Sequence, residues 1–272
     1  MSVLRAEKLA KRYGRRLVVA GVDIRVESGE IIGLLGRNGA GKTTTFQIIV
    51  GLVRPEHGRI ELDGRDISAC TAADRARLGI TYLPQENSVF LKATVGQNLK
   101  LILELLPYGR AERERITREL LNELGLLPLA GQPAHSLSGG ERRKLEICRS
   151  LALKPKFLLL DEPFTGIDPL TIIELQKIML RLREKGLGIV ISDHNVRDTL
   201  RITNRAYILD EGEVLIEGRP REIAASAAAK ERFLGKDFEL AGAEAGVTRK
   251  NNDRPGFPPE NRGTGKNRDR AG

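Results

Sequence analysis

Several residue types are scarce in this chain, and each shortage excludes a class of protein. There is no tryptophan, and aromatic residues make up only 4% of the 272 residues, so the stacking platforms of a single-strand nucleic-acid binder are hard to build. The two cysteines, Cys70 and Cys148, lack metal-ligand spacing, which favours reduced thiols. No run of 18 apolar residues occurs, and the start of the chain lacks the apolar segment of a signal peptide. We expect a chain that neither spans a membrane nor is exported.

The composition is otherwise that of an ordinary globular protein, with 40% apolar and 30% charged residues. The net charge of +9 is spread along the chain without a long block of lysine and arginine. This favours solubility and closeness to an anionic membrane surface, and we expect no nucleic-acid partner. Residues 241–272 are rich in glycine, proline, asparagine and charge, so we predict a disordered basic tail after one domain over residues 1–240.

The order of the patterns predicts an α/β fold. Short β-type stretches at residues 3–9 and 17–26, and a hairpin at 58–67, predict an antiparallel β subdomain at the N-terminus. Apolar runs at 31–36, 156–161 and 188–192 are typical of strands that are buried on both faces of a mainly parallel sheet. Helical patterns at 94–106 and 111–124 predict a helical subdomain inserted at about residues 90–155.

A glycine-rich loop after the first apolar run predicts a P-loop NTPase core. The loop fits G-x-x-x-x-G-K-[ST], follows a strand and precedes a helix. Its glycines let backbone N–H groups converge on phosphate oxygens, and the helix adds its positive end. Lysine reaches the β- and γ-phosphates, while the first threonine is placed to bind Mg²⁺. The predicted ATP-binding residues here are Gly36, Arg37, Asn38, Gly39, Ala40, Gly41, Lys42, Thr43 and Thr44.

Two carboxylates end the apolar strand FLLLDE. The strand delivers Asp161 and Glu162 beside the phosphate loop, at the ligand-binding edge of the sheet. Asp161 is placed to bind Mg²⁺, directly or through its waters, and Glu162 to orient or deprotonate the attacking water. Taken alone, the pair is also compatible with a solvated acidic turn.

A second glycine-rich helix start occurs at Leu137-Ser138-Gly139-Gly140-Glu141. Ser138 is a good N-cap, so this helix start is again an anion site by its geometry. Since the first loop already holds the one triphosphate of a nucleotide, the economical interpretation is that this site serves an ATP bound to another copy. An ordinary capped helix is the alternative.

The loop GRNGAGKTT, the pentapeptide LSGGE and the strand FLLLDEP, in this order, resemble the ABC ATPase family over about residues 3–220. The resemblance implies a head-to-tail dimer in which the phosphate loop of one copy and Ser138, Gly139, Gly140 and Glu141 of the other enclose each ATP. The family more often has Gln where this chain has Glu141.

Four further positions match the family residue by residue. Tyr13 resembles the aromatic residue that stacks on adenine, and Asp168 resembles the acid that contacts the second copy. Gln85 resembles the glutamine that contacts Mg²⁺ or water and relays to a membrane partner, and His194 the switch histidine that contacts the γ-phosphate. Because Pro169 follows it, Asp168 is also a candidate helix cap.

The region from Gln85 to Leu91 forms, in this family, part of a groove that receives a membrane subunit. Val89, Phe90 and Leu91 are a candidate docking patch for two permease subunits, although burial in the domain itself is an alternative. The family often has Arg after the Phe, where this chain has Leu91.

Three later segments, at 192–200, 206–223 and 233–240, are similar to the ATPase of the lipopolysaccharide export system. Gly235, Asp237 and Phe238 match an ending that packs against the second copy. The resemblance implies a subunit on the cytoplasmic face of the inner membrane that powers lipopolysaccharide extraction. The alternatives are the ATPase of a branched-chain amino-acid importer and a soluble ABC ATPase of DNA repair or translation.

Overall fold

A computed structural model describes residues 1–235 and residue 238 of the chain. It contains ten strands, numbered here in chain order: β1 Val3–Tyr13, β2 Arg16–Glu27, β3 Ile31–Gly36, β4 His57–Leu62, β5 Arg65–Asp66, β6 Ile80–Leu83, β7 Phe157–Asp161, β8 Gly188–Asp193, β9 Arg205–Asp210 and β10 Glu213–Gly218. The α-helices are α1 Lys42–Val50, α2 Ala72–Arg77, α3 Val95–Leu103, α4 Arg110–Glu123, α5 Gly139–Leu151, α6 Pro169–Glu184, α7 Val196–Leu200, α8 Pro220–Ala225 and α9 Ala227–Ala229. Single turns of other helix types cover Leu127–Leu129, Ala134–Ser136 and Lys230–Leu234.

The predicted antiparallel subdomain is a four-stranded sheet of order β2-β1-β4-β5. Its second hairpin turns at Asp63 and Gly64, whose φ angles of 55° and 79° are both positive. A two-residue turn of this kind matches the twist of the strands on either side of it. The Asp-Gly signal in the sequence therefore predicted this hairpin correctly.

A six-stranded sheet of order β10-β9-β3-β8-β7-β6 forms the core, and every pairing in it is parallel except that of the edge strand β10. Strands β3, β7 and β8 are buried along their whole length. Their side chains alternate between two apolar clusters, one toward the antiparallel sheet and α1 and the other toward α5 and α6. A sheet covered on both faces explains why these strands read as continuous apolar runs.

Helices α3, α4 and α5 lie between β6 and β7, as the pattern predicted. Helix α3 begins at a capping box in which Thr94 and Gln97 bond reciprocally. The helix ends at Leu103, so the prediction that it continues to Leu106 was wrong. The N–H groups of Leu105 and Leu106 bond three residues back, and the approach of Pro107 disfavours a further α-turn.

Some predictions fall on residues outside the described part of the chain. Asp237 and the proposed tail at 241–272 are among them, so the domain boundary after residue 240 stays a prediction. Within the described residues, no helix combines the length and the apolar character that crossing a bilayer requires.

Candidate active site

The carboxyl ends of β3, β7 and β8 meet at one edge of the core sheet, and a cleft of about 530 Å³ opens there. This is where open α/β sheets bind ligands. Nine residues predicted from the sequence line the cleft: Asn38, Gly39, Gly41, Lys42, Thr43, Thr44, Gln85, Glu162 and His194. Three others line it as well: Arg16, Val18 and Thr165.

The phosphate loop leads directly into α1, whose N-terminus is open to an anion. Gly41 is the N-cap residue, with φ 102°, and no side chain caps the helix. A Cβ on Gly41 would lie 2.5 Å from the carbonyl oxygen of Val18, so only glycine fits. The first turn of α1 also carries no acidic residue. Uncapped N–H groups and the positive end of the helix dipole therefore face the cleft.

Lys42 lies at the start of α1 with only 5% of its surface exposed. Its ammonium donates hydrogen bonds to the carbonyl oxygens of Gly36 and Arg37, at 2.9 and 3.1 Å. Burial lowers the pKa of Lys42, and the nearby carboxylates Glu162 and Asp161 oppose that shift. The arrangement keeps a cation among carboxylates at the phosphate loop.

Asp161 lies beneath the cleft and does not line it. Only 1% of its surface is exposed. Its Oδ2 accepts a 3.1 Å hydrogen bond from the Tyr82 hydroxyl, and its Oδ1 accepts one from the Ser192 hydroxyl. Both oxygens of this carboxylate are thus held by neutral donors from the adjacent strands β6 and β8.

Glu162 occupies a strained backbone position, with φ 47°, which is unusual for a residue other than glycine. The strain turns its side chain into the cleft. There Oε2 accepts hydrogen bonds from the Gln85 amide at 3.1 Å and the Thr165 hydroxyl at 3.0 Å. The same oxygen lies 3.4 Å from Nδ1 of His194. The three predicted catalytic residues, Gln85, Glu162 and His194, therefore form one cluster.

Asp193 links the loops that carry Glu162 and His194. Its Oδ2 accepts from the N–H of Phe164, two residues after Glu162, at 3.1 Å. Its Oδ1 accepts from the N–H of Asn195, next to His194, at 2.7 Å. Burial raises the pKa of Asp193, and the two backbone bonds oppose the shift.

Four predicted nucleotide-binding residues at the phosphate loop and the N-terminal hairpin do not line the cleft. Gly36 is buried at the end of β3, while Arg37 and Ala40 line an adjoining cleft of about 500 Å³. Tyr13 lies at the end of β1 with 48% of its surface exposed. It pairs across the hairpin with Arg16, which does line the cleft.

The second glycine-rich helix start is separate from this cleft. Ser138 and Glu141 form a capping box at the start of α5, and the backbone N–H of Ser138 holds the pKa of Glu141 below its usual range. Gly139 is exposed, and Gly140 is buried with no room for a Cβ, which would lie 2.2 Å from Thr171. No residue of this group lines the cleft.

Asp168 also lies away from the cleft and caps α6. Its Oδ1 accepts a 3.0 Å hydrogen bond from the N–H of Thr171, which confirms the capping role predicted from Pro169. A hydrogen bond with the Thr171 side chain, and a weaker effect from the Thr171 backbone N–H, hold the pKa of Asp168 below its usual range.

The candidate docking patch is only partly exposed. Phe90 and Leu91 are 47% and 46% exposed, whereas Val89 packs partly buried against the core. The guanidinium of Arg149 lies 4.8 Å from the centre of the Phe90 ring. An exposed aromatic residue beside a cation is thus available on this surface.

Sequence reasoning missed four residues that line the cleft or hold Asp161. Arg16 and Thr165 line the cleft, and Tyr82 and Ser192 hold Asp161. The signals were weak: Thr165 lies three residues after Glu162, and Tyr82 three before Gln85.

Comparison with known proteins agrees with this geometry. A family model described as ABC transporter matches residues 19–165. The chain belongs to the ABC transporter family. Its membership makes it an ATP-binding, ATP-hydrolysing transporter subunit, and the predicted P-loop α/β fold is confirmed.

Curated relatives cover nearly the whole described chain. The lipopolysaccharide export system ATP-binding protein LptB of Acidithiobacillus ferridurans is 50% identical over 238 residues, which are 88% of this chain and 99% of the relative. The protein of the same name from Escherichia coli K12 is 48% identical over 241 residues, 88% of this chain and 100% of the relative. A solved ATP-binding cassette of an ABC transporter, in its ADP conformation, superposes with a TM-score of 0.78 at 27% identity, covering 87% of this chain and 100% of that one.

Proposed function

We propose that this ABC ATPase powers lipopolysaccharide extraction from the inner membrane. The observation that carries the proposal is the 48–50% identity to lipopolysaccharide export ATPases over 99–100% of their length. The transported lipid need not touch this chain. The role of the chain is to convert ATP binding and hydrolysis into movement of membrane subunits.

The oxygen atoms around the phosphate loop are suitable ligands for a Mg²⁺ ion that accompanies ATP. The Thr43 hydroxyl, the Gln85 amide and the Asp161 carboxylate all offer oxygen, the ligand that Mg²⁺ prefers. The described residues contain no group of three or more His, Cys, Asp or Glu side chains suited to a metal, which agrees with an ion held mainly by substrate phosphates and water. When bound, Mg²⁺ neutralises charge that develops on the phosphates.

The chain's own residues supply the rest of the chemistry. The open N-terminus of α1 and Lys42 hold the triphosphate. Glu162 takes the proton of the attacking water or orients that water, and His194 contacts the γ-phosphate. Gln85 and Thr165 hold the Glu162 carboxylate before the reaction.

The proposal requires two copies of the chain. Ser138, Gly139, Gly140 and Glu141 lie outside the cleft, and we assign them to an ATP that is bound to the other copy. Asp168 and Tyr13 complete the ATP sandwich, Tyr13 by stacking on adenine from the hairpin tip beside Arg16. ATP then bridges the two copies, and hydrolysis removes the bridging γ-phosphate.

We place the dimer on the cytoplasmic face of the inner membrane, where two permease subunits dock near Gln85–Leu91. The exposed Phe90 ring beside Arg149 supports this placement. Because Gln85 bonds to Glu162, a permease that moves this segment also moves the catalytic carboxylate.

The test is a pull-down of tagged chain from detergent-solubilised membranes, followed by mass spectrometry of the proteins that co-purify. Two different permease subunits, each with a periplasmic domain, are the expected result. A Lys42→Ala chain is the matched control, since it keeps the docking surface but loses the main contact with the triphosphate.

Other outcomes would contradict the proposal at different levels. Recovery of amino-acid importer permeases would reassign the cargo. Recovery only from the soluble fraction, with nucleic acid or ribosomes, would remove the transport role and leave the ATPase site intact.

A further inference from the structure

Tyr82 connects the phosphate-loop helix to the buried carboxylate of Asp161. It lies on β6, and its ring packs edge-on against the ring of Phe46 on α1, with centroids 6.3 Å apart and planes at 82°. Phe46 is fully buried, which fixes this contact. From that position the Tyr82 hydroxyl donates to Oδ2 of Asp161 at 3.1 Å.

The second oxygen of the same carboxylate is held from the other side. The hydroxyl of Ser192, on β8, donates to Oδ1 of Asp161. Asp161 is the last residue of β7, which lies between β6 and β8, so its carboxylate accepts one hydrogen bond from each neighbouring strand. A planar group restrained at both oxygens has one orientation, and its remaining lone pairs have fixed directions.

The chemistry of the Tyr82 hydroxyl suits this role. A tyrosine hydroxyl is protonated at neutral pH, so Tyr82 can donate its proton to Oδ2 of the carboxylate, as the 3.1 Å contact shows. A hydrogen bond between a neutral donor and an ionised acceptor is stronger than one between neutral groups. It also leaves the charge of Asp161 in place.

We propose that Tyr82 is a positioning residue for Asp161, whose carboxylate it holds in the orientation that serves the divalent cation of the bound nucleotide. The inference rests on the proposed function, in which Asp161 holds Mg²⁺ directly or through its waters. Groups that hydrogen-bond to metal ligands typically tune the affinity for the ion through orientation.

The variant Tyr82→Phe keeps the ring against Phe46 and removes only the hydroxyl. The measurement is the affinity of the full chain for a fluorescent ATP analogue, titrated with Mg²⁺ and repeated in EDTA. We expect unchanged affinity in EDTA. We expect the Mg²⁺ concentration that gives half of the cation-dependent gain in affinity to rise about tenfold, the lower end for lost support of a metal ligand.

Tyr207→Phe is the matched control. Tyr207 is 2% exposed and does not line the cleft, and its hydroxyl accepts from the N–H of Arg25 at 3.2 Å. This variant loses a buried hydroxyl bond in the same way, and its Mg²⁺ midpoint should not move. Ser192→Ala removes the donor to the other oxygen of Asp161 and should shift the midpoint in the same direction as Tyr82→Phe.

Asp161→Asn separates failure of this inference from failure of the proposed function. If Asp161→Asn shifts the Mg²⁺ midpoint and Tyr82→Phe does not, the positioning role is overturned and the cation role of Asp161 stands. If neither variant shifts it, the assignment of Asp161 to the cation fails, and the inference fails with it. An equal shift in Tyr207→Phe would also overturn it, because the effect would then come from general loosening.

Discussion

The side-chain amide of Gln85 donates a 3.1 Å hydrogen bond to Oε2 of Glu162. This single contact joins the segment after β6, where we place the permease contact, to the carboxylate that we propose activates water. Since Thr165 donates to the same oxygen, Glu162 is held from both sides in this conformation. The proposed docking segment and the proposed catalytic carboxylate are therefore joined by one hydrogen bond.

Glu162→Gln should abolish most ATP hydrolysis without weakening nucleotide binding. The amide cannot take a proton, and loss of a general base costs about a hundredfold or more in rate. Phosphate release measures the rate, and a fluorescent ATP analogue measures binding. The control is Glu184→Gln, an exposed carboxylate at the end of α6 that should leave both unchanged. Undiminished turnover in Glu162→Gln would contradict the base assignment.

Glu141→Gln should lengthen the life of the ATP-bound dimer. The pKa of Glu141 is held low, so a full negative charge lies at the start of α5, where we expect the partner's phosphates. Glutamine retains the capping box and removes the charge. A charge at a helix end contributes about 0.3–1 kcal/mol, so we expect the lifetime of the dimer to change about two- to fivefold. Size-exclusion chromatography in a Glu162→Gln background measures the dimer. The control is Glu104→Gln, an exposed carboxylate at the C-terminal end of α3. A shorter-lived dimer would contradict the proposed repulsion between the Glu141 carboxylate and the partner's phosphates.

Gly212→Ala should weaken nucleotide binding although residue 212 lies outside every motif. A Cβ there would lie 2.7 Å from the carbonyl oxygen of Val18, and the N–H of Gly212 donates to Ala40 of the phosphate loop. A displaced loop that costs about 1.4 kcal/mol of binding lowers affinity about tenfold.

Gly64→Ala is the matched control for this change. Gly64 has a similar φ of 79° but open space around its Cβ position. It should lose roughly 1–2 kcal/mol of stability from backbone strain and no nucleotide affinity. Equal losses of affinity in the two variants would show that strain alone, and not contact with the loop, is responsible.

Arg75→Lys should destabilise the whole domain. Arg75 is 2% exposed, and its guanidinium donates to the carbonyl oxygens of Ile48 and Ile49 at the end of α1, and to that of Ser68. Lysine cannot span these acceptors, so we expect a loss of about 2–4 kcal/mol in urea denaturation. Arg77→Lys, on the exposed face of the same helix, should cost nothing measurable. An Arg75→Lys variant with unchanged stability would contradict the role of Arg75 in holding the carbonyl oxygens at the end of α1.

Acid should weaken the cap of α6. The pKa of Asp168 is held below its usual range, so the folded state binds a proton less readily than the unfolded state. Its contribution is complete above the unfolded pKa of about 4 and is lost as the pH falls through the folded value. Asp168→Asn also caps but does not titrate. The stability difference between the two chains should therefore shrink from pH 6 to pH 3. Since Asp193 shifts the opposite way, only this difference is diagnostic.

The parts of the site that follow local rules could be predicted from the sequence. The phosphate loop and Glu162 each follow an apolar run, and parallel strands bring such ends together. The Asp63-Gly64 turn could likewise be predicted from those two residues alone. Tyr82 and Ser192 were not, because they meet Asp161 across 79 and 31 residues of chain. Arg75 was missed for the same reason: its acceptors at Ile48 and Ile49 are set by packing, which no spacing rule reveals.

Tyr13 illustrates a different limit. Its resemblance to a family position was readable, yet the side chain lies at the hairpin tip and does not line the cleft of one chain. The sequence identifies Tyr13, but the contact with adenine that we propose requires a nucleotide that extends beyond that cleft. The signature at Ser138 is similar, since its proposed role requires a second molecule.

The place of β3 in the core sheet has a consequence for how the chain is made. Both neighbours of β3, β8 and β9, are encoded more than 150 residues later. At ribosomal speeds of about 5–20 residues per second, the strand IIGLLG waits roughly 8 to 30 seconds with both edges unpaired. Its apolar side chains are meanwhile a target for self-association and for chaperones. Slowing translation after residue 40 should therefore lower the soluble yield more than slowing it after residue 210.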